Sequence, residues 1–207
     1  VDMSSFYLDV LKDRLYVEKK DGVDRRAAQT AIYDILCALD LMLAPILPFT
    51  AEEIWKFIPA SKAYNGASVM LNDMPEYREG LVSQEFMAKW ERIHAIRDDV
   101  NKALEDARAA KTIGKSLEAR VVLHCGEEPY EFLSGIREIL PTVFIVSAVE
   151  LTREGEGAFH GVVEGVSVDV SPASGEKCQR CWMHSDTVGK DPAHPTLCAR
   201  CASILAE

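Results

Sequence analysis

Apolar residues recur at helical spacing along the first half of the chain. In residues 5–18, Phe6, Tyr7, Val10, Leu11 and Leu15 fall on one face, the three-and-four pattern of an amphipathic helix. The stretch "KKDGVD" reads as a loop. The period resumes over residues 25–44, where Ala28, Ile32, Ile35, Leu36, Leu39 and Leu43 form a stripe. Pro45 and Pro48 should end or kink that helix, because proline lacks the N–H a helix interior needs. In "PFTAEEIW", Thr50 is placed to cap the next helix and Glu53 to reach back, with Phe49 and Ile54 at staple positions. Trp55 and Ile58 continue its buried face to Pro59. Residues 60–82, with Gly66, Pro75 and Gly80, read mostly as loop. A long helix is then expected from about Gln84 to Lys111, with Phe86, Trp90, Ile93, Ile96, Val100, Leu104 and Ala107 along its apolar side.

The pattern changes at "TIGKS", a turn. Residues 117–124 alternate as a strand does, with Leu117, Ala119, Val121 and Leu123 on one face. A short helix is expected over 128–140. The β-branched run 142–151, "TVFIVSAVEL", reads as a buried strand. A turn at Glu154–Gly157 precedes a further strand over 160–170, and "SPASGE" is a short linker. No internal repeat is evident. The expected fold is therefore multidomain and mainly α. A helical bundle occupies residues 1–111, a small α/β domain residues 112–171, and a cysteine-rich module residues 172–207.

The 207 residues are 48% hydrophobic and 27% charged, ordinary values for a soluble globular chain. No apolar run approaches the roughly 18 residues of a membrane helix; the longest, Ile35–Ile46, is broken by Asp40. The start, Val1-Asp2-Met3, has no signal-peptide character, and the lack of an initial Met leads one to expect a piece of something longer. Reduced thiols, and hence a cytoplasmic location, fit better than disulfides. The net charge of −10 argues against general adhesion to nucleic acid. Local basic groups remain: Lys12, Arg14, Lys19 and Lys20, and Arg108, Lys111, Lys115 and Arg120. Either set can equally be a solvated helix face.

Four of the six cysteines stand in the final segment as Cys178-x2-Cys181 and Cys198-x2-Cys201, sixteen residues apart. Two residues between cysteines let one tight turn aim both sulfurs at a common centre, and two such turns supply a tetrahedron of thiolates suited to zinc. A segment of about thirty residues cannot fold on apolar burial alone, so metal binding would also be folding. A closed four-thiolate site has no open position and is structural rather than catalytic. Iron on four thiolates and a dithiol redox pair are the alternatives. His184 and His194 are not needed as ligands; Cys37 reads as core and Cys125 has no partner at metal spacing. Lys177, Arg180 and Arg200 offset the charge of a zinc–tetrathiolate centre or reach a phosphate. Trp182 either covers the metal site or offers a stacking platform for an unpaired base.

No Gly-rich phosphate loop, HExxH or GxSxG is present, and no carboxylate pair stands out as an acid/base couple, so no catalytic residue is assigned. The stretches "FYLDVLKDRLY" (6–16), "LMLAPILPFTAEEIW" (41–55), "IGKSLEARV" (113–121) and "GEKCQRCW" (175–182) occur in the order seen at the carboxyl end of bacterial-type isoleucyl-tRNA synthetases, and nearly the whole chain resembles that class I family. "LAPILPFTAEEIW" alone is shared with the valine, leucine and methionine enzymes; the terminal CxRCW module points to isoleucine. The resemblance implies a helical anticodon-binding domain over 1–111, a junction domain over 112–171 and a zinc module that contacts the anticodon loop of isoleucine tRNA. It implies one structural zinc on Cys178, Cys181, Cys198 and Cys201. By position in the motif, Trp182 would stack on RNA, with Arg180, Arg200, Lys12 and Arg14 as further RNA contacts. The family's ATP- and Mg²⁺-dependent ligation uses His-Ile-Gly-His and Lys-Met-Ser-Lys-Ser type motifs in a catalytic domain, and neither these motifs nor the editing domain occur here. The fragment alone is thus expected to be non-catalytic. A free-standing zinc-ribbon nucleic-acid binder is the competing reading; formamidopyrimidine-type DNA glycosylases carry a similar ribbon, but their initial proline and glutamate are not matched by Val1-Asp2. An iron or dithiol redox protein is the other.

Overall fold

The computed structural model describes residues 3–77 and 79–206. These fall into two compact units, residues 18–82 and residues 1–17 with 83–207.

The smaller unit is built on α3 (Val23–Leu43) and α4 (Pro48–Trp55). The larger unit contains, ahead of residue 18, a helical run made of a π turn at Met3–Tyr7 followed by α1 (Leu8–Val10) and α2 (Lys12–Tyr16). In the smaller unit, Leu41, Ala44, Ala51, Trp55 and Val69 form the core, with Ile58 and Tyr64 against it. The Trp55 indole N–H donates to the Asn65 carbonyl at 3.0 Å, which ties the following loop to α4. Three expectations fail in this unit. The buried side of α3 is Ala28, Cys37, Asp40 and Leu41, while Leu36, Leu39 and Leu43 are exposed. Packing on α4 selects one side of a helix that is apolar on more than one. The capping box at Thr50 does not form either, because α4 starts three residues earlier than that cap requires, with Pro48 as its first residue and Leu47 as N-cap. Proline presets the helical φ there and has no N–H to leave unsatisfied. Phe49 is 91% exposed, so it staples nothing. Asp40 is buried with neither carboxylate oxygen hydrogen-bonded; burial, and then the charge of Glu52, hold its carboxyl above the ordinary range.

In the larger unit a four-stranded sheet runs in the order β2-β1-β4-β3. Strand β1 (Ala119–Cys125) lies parallel to β2 (Ala148–Thr152) and antiparallel to β4 (Val166–Pro172), so that Val121 faces Val149 on one side and Val170 on the other. The short β3 (Phe159–His160) completes the β4 edge. Parallel neighbours need a crossover, which α6 (Glu127–Ser134) and α7 (Leu140–Phe144) provide. The alternation expected over 117–124 is observed from Ala119 on, where Ala119, Val121, Leu123 and Cys125 are buried and the residues between them less so, while Leu117 falls in a 3-10 turn ahead of the strand. The long α5 (Gln84–Ala109) is capped by Ser83, whose Oγ accepts from the Phe86 N–H at 3.1 Å. Its Ile93, Ile96, Val100, Ala103 and Leu104 share one core with Val121, Leu123, Leu140, Phe144 and Val168.

Helix α5 thus has a sheet beneath it, and the compact units part near residues 17 and 82. The run 142–151 is not one strand. Helix α7 starts at Leu140 with Pro141 in its first turn, Ile145 caps it in the left-handed region at φ 57°, and the strand begins only at Ala148. The chain remains mainly helical, with a small sheet and a cysteine cluster. The last module carries the hairpin β5 (Glu176–Lys177) and β6 (His184–Ser185) and the closing helix α8 (Ala199–Leu205).

Candidate metal centre

The first knuckle is closed by the Trp182 N–H, which donates to the Cys178 carbonyl at 2.9 Å. That turn puts Trp182 at φ 66°, a left-handed conformation that is uncommon for a bulky residue. In the second knuckle Cys198 is the N-cap of α8, and Cys201 lies in its first turn. The hairpin β5–β6 holds the first knuckle, with the Cys178 N–H bonded to the Met183 carbonyl at 2.9 Å.

The four sulfurs of Cys178, Cys181, Cys198 and Cys201 lie within 4.8 Å of one another. Cys181 and Cys198 are 3.9 Å apart, sulfur to sulfur. A tetrahedron with zinc–sulfur bonds of about 2.3 Å has edges of about 3.8 Å, so the donor set fits zinc in both chemistry and spacing. Cys178, Cys198 and Cys201 are buried and Cys181 is partly covered. Burial works against the Cys178 thiolate, but backbone N–H groups of Cys181, Cys198 and Arg180 outweigh it and pull this thiol down to about 6. Burial pushes Cys181 up to about 11, and the same cause drives Cys201 higher. Four clustered thiolates, three of them buried, cannot be charged together without a cation among them, which is what a metal would supply.

The remaining cysteines and histidines stay out of the cluster. Cys37 and Cys125 are buried elsewhere, the latter thiol raised by burial to about 11. His184 Nδ1 lies 3.2 Å from the Gly175 carbonyl, and its backbone N–H donates to Ser147 Oγ at 2.7 Å. Ser147 Oγ in turn donates to the Leu117 carbonyl, and the Ala173 N–H to the Glu118 carbonyl at 2.7 Å. The module is thereby seated on the sheet's end.

A cavity of about 820 Å³ opens beside the cluster. It brings together Lys12, Arg180, Trp182 and Arg200, and leaves out Arg14. Trp182 is 60% exposed, with the Lys177 ammonium 5.4 Å from its ring centroid. The cations are less free than the sequence implied. Arg200 forms a two-pronged pair with Asp13, both contacts at 2.7 Å; this pair, and the nearby Cys181, raise its guanidinium above an already high value. Arg180 donates to the Val17 carbonyl at 3.0 Å, and Lys12 pairs with Asp9. Arg14 is exposed. The acids Asp9, Asp13 and Glu138 line the same cavity. No spacing rule could have announced Asp13 or Val17, whose partners lie more than 160 residues away.

A family model described as "Anticodon-binding domain of tRNA ligase" matches residues 1–123. Another, "Zinc finger found in FPG and IleRS", matches residues 175–204. The chain is 47% identical over 211 residues to the isoleucine–tRNA ligase of a Thermoanaerobacter species, covering 100% of this chain and 22% of that protein. It is 46% identical over 209 residues to the enzyme of Bacillus mycoides, with the same coverage. For Geobacter sulfurreducens the figures are 44% over 207 residues, with 99% of this chain and 22% of the relative covered. The chain therefore spans about a fifth of the length of the relatives it matches, in their C-terminal part.

Proposed function

The chain belongs to the family of anticodon-binding domains of tRNA ligases, and from that premise we propose that it is the tRNA-reading part of an isoleucine–tRNA ligase. In functional terms, residues 1–111 supply the helical anticodon-binding surface, 112–171 the junction, and 172–207 the zinc module. One zinc, held by Cys178, Cys181, Cys198 and Cys201, fixes the two knuckles in place; its closed coordination suits a structural role. The ligation of isoleucine to its tRNA, with ATP and Mg²⁺, belongs to the remainder of the enzyme. The exposed Leu36, Leu39, Leu43, Ile46 and Phe49 form an apolar surface of the kind that marks an interaction site, and it suits packing against that remainder. The cytoplasm, where thiols stay reduced, is the matching compartment.

The observation that carries the RNA reading is Trp182. A large aromatic ring stands in solvent at the mouth of a cavity, on a backbone conformation that costs energy to hold. Unpaired anticodon bases are recognised by stacking on such rings and by contacts to their edges. Lys12 and Arg14 offer charge to the phosphates. Arg180 and Arg200 reach RNA with the guanidinium N–H groups that Val17 and Asp13 leave free, since a guanidinium carries five donors. A net charge of −10 restricts the RNA to one face.

The test is binding of the zinc-loaded chain to isoleucine tRNA and to the same tRNA with altered anticodon bases, at one fixed low salt concentration. Binding should fall when the anticodon changes. Trp182→Ala should weaken it about 10-fold, in line with roughly 1–3 kcal/mol per stacked base. Equal affinity for both RNAs, unchanged by Trp182→Ala, would overturn the recognition reading.

A further inference from the structure

Helix α2 and the residue after it close one side of the cysteine cluster. Val17 is buried and packs in the same apolar group as Cys178, Cys198 and Cys201. Its carbonyl is held by Arg180 at 3.0 Å, the residue that precedes Cys181. One turn earlier, Asp13 takes both prongs of Arg200 at 2.7 Å, the residue that precedes Cys201. Each knuckle is therefore fastened to the same short helix through the arginine before its second cysteine. The cavity explains why this matters. Cys181 and Cys198 both line it, and Asp13, Val17, Arg180 and Arg200 form the wall around them. Cys181 is also the least covered of the four, so this is the route by which a chelator or an electrophile reaches the sulfurs.

We propose that residues 12–17 are a lid on the metal centre, in which Asp13 positions Arg200 beside the accessible sulfur and Val17 shields the buried ones. Asp13 and Val17 are positioning residues for the metal: they touch no ion, and they set how fast it is lost and how fast its thiols are attacked. Groups that orient metal ligands commonly change metal affinity about 10–100-fold when mutated. The Asp13–Arg200 pair fits that role because its geometry is two-pronged and thus directional. The inference rests on the zinc reading given above.

The experiment compares zinc release from the loaded 207-residue chain to excess 4-(2-pyridylazo)resorcinol, followed by absorbance. The variants are Asp13→Asn, Val17→Ala, and Asp9→Asn as a control on the preceding short helix α1, where its partner is Lys12. Asp13→Asn and Val17→Ala should release zinc about 10-fold faster or more, with Asp9→Asn close to the parent. Arg200→Gln should add little to Asp13→Asn, because the two act as one pair. Circular dichroism establishes that each variant keeps its helices. Alkylation of Cys181 by iodoacetamide, read by mass spectrometry, is the second measurement and should accelerate in the same two variants. Release and alkylation within twofold of the parent in both variants would overturn the lid. A parent chain that takes up no zinc would instead overturn the zinc reading, and the alkylation rates would still decide the lid on the bare thiols.

Discussion

Trp182 joins two demands at one position. The knuckle needs a left-handed residue after its second cysteine, and the ring needs a place at the cavity mouth. A non-glycine residue in that region costs about 1–2 kcal/mol. Trp182→Gly should therefore leave zinc binding intact and raise stability by up to about 1 kcal/mol, while RNA affinity falls as it does for Trp182→Ala. Urea denaturation of the zinc-loaded variant beside the parent checks the first half; a loss of stability would mean that ring packing outweighs the backbone strain. The cysteine quartet was legible in the sequence because its chemistry is written in short spacings. The partners of Arg180 and Arg200 were not, since Val17 and Asp13 meet them only through the tertiary fold. The sequence offered these arginines as counter-charges to the thiolates or as contacts to phosphate; the structure shows them bonded within the chain.

Elements whose period and caps agree were legible, and those with ambiguous apolar runs were not. Helix α5 begins and ends within two residues of its expected limits, and β1 shows the alternation expected of it. The run 142–151 misled because β-branched residues say "buried" more firmly than they say "strand", and a left-handed Ile145 divides it. What binds α5 to the sheet could not be read from either element alone. Asp99 is buried on α5 and accepts the N–H groups of Val162 and Val163 at 3.0 and 2.9 Å. It enters through the gap left by Gly161, where an added Cβ would stand 1.9 Å from the Asp99 side chain. No rotamer change resolves a clash with a carboxylate already fixed by two donors. Gly161→Ala should cost about 3 kcal/mol, from overpacking and from strained bonds to a buried charge. Asp99→Asn keeps the shape and turns an N–H toward a backbone donor, and should cost about 2 kcal/mol. Both are read by the denaturant midpoint, and a Gly161→Ala midpoint equal to the parent's would show that the β3–β4 loop yields freely.

The larger unit contains two cores of different kinds. The α5–sheet core consists of aliphatic and aromatic side chains and includes none of the four clustered cysteines. The other core is small: Val17 with Cys178, Cys198 and Cys201, edged by Cys181, Val188, Leu197 and Ile204. The grouping of residues 1–17 with 83–207, apart from 18–82, is made by tertiary contacts that no contiguous stretch of sequence displays. This division makes metal removal selective. Stripping zinc with a chelator leaves four thiols and a few aliphatic groups, too little to order some thirty residues. Amide exchange should then accelerate across residues 175–205, and also across 12–17, whose anchors are Arg180 and Arg200. Strand β1 and helix α5 should keep their protection because their core loses nothing, and residues 18–82 should be unaffected. Far-UV circular dichroism should change little, since the module contributes one short helix, α8. Hydrogen exchange with mass spectrometry, before and after chelation, separates the cases. Global loss of protection would mean that the module nucleates the whole unit. Unchanged exchange across 175–205 would mean that the knuckles stand without metal, and the structural role given to zinc would fall.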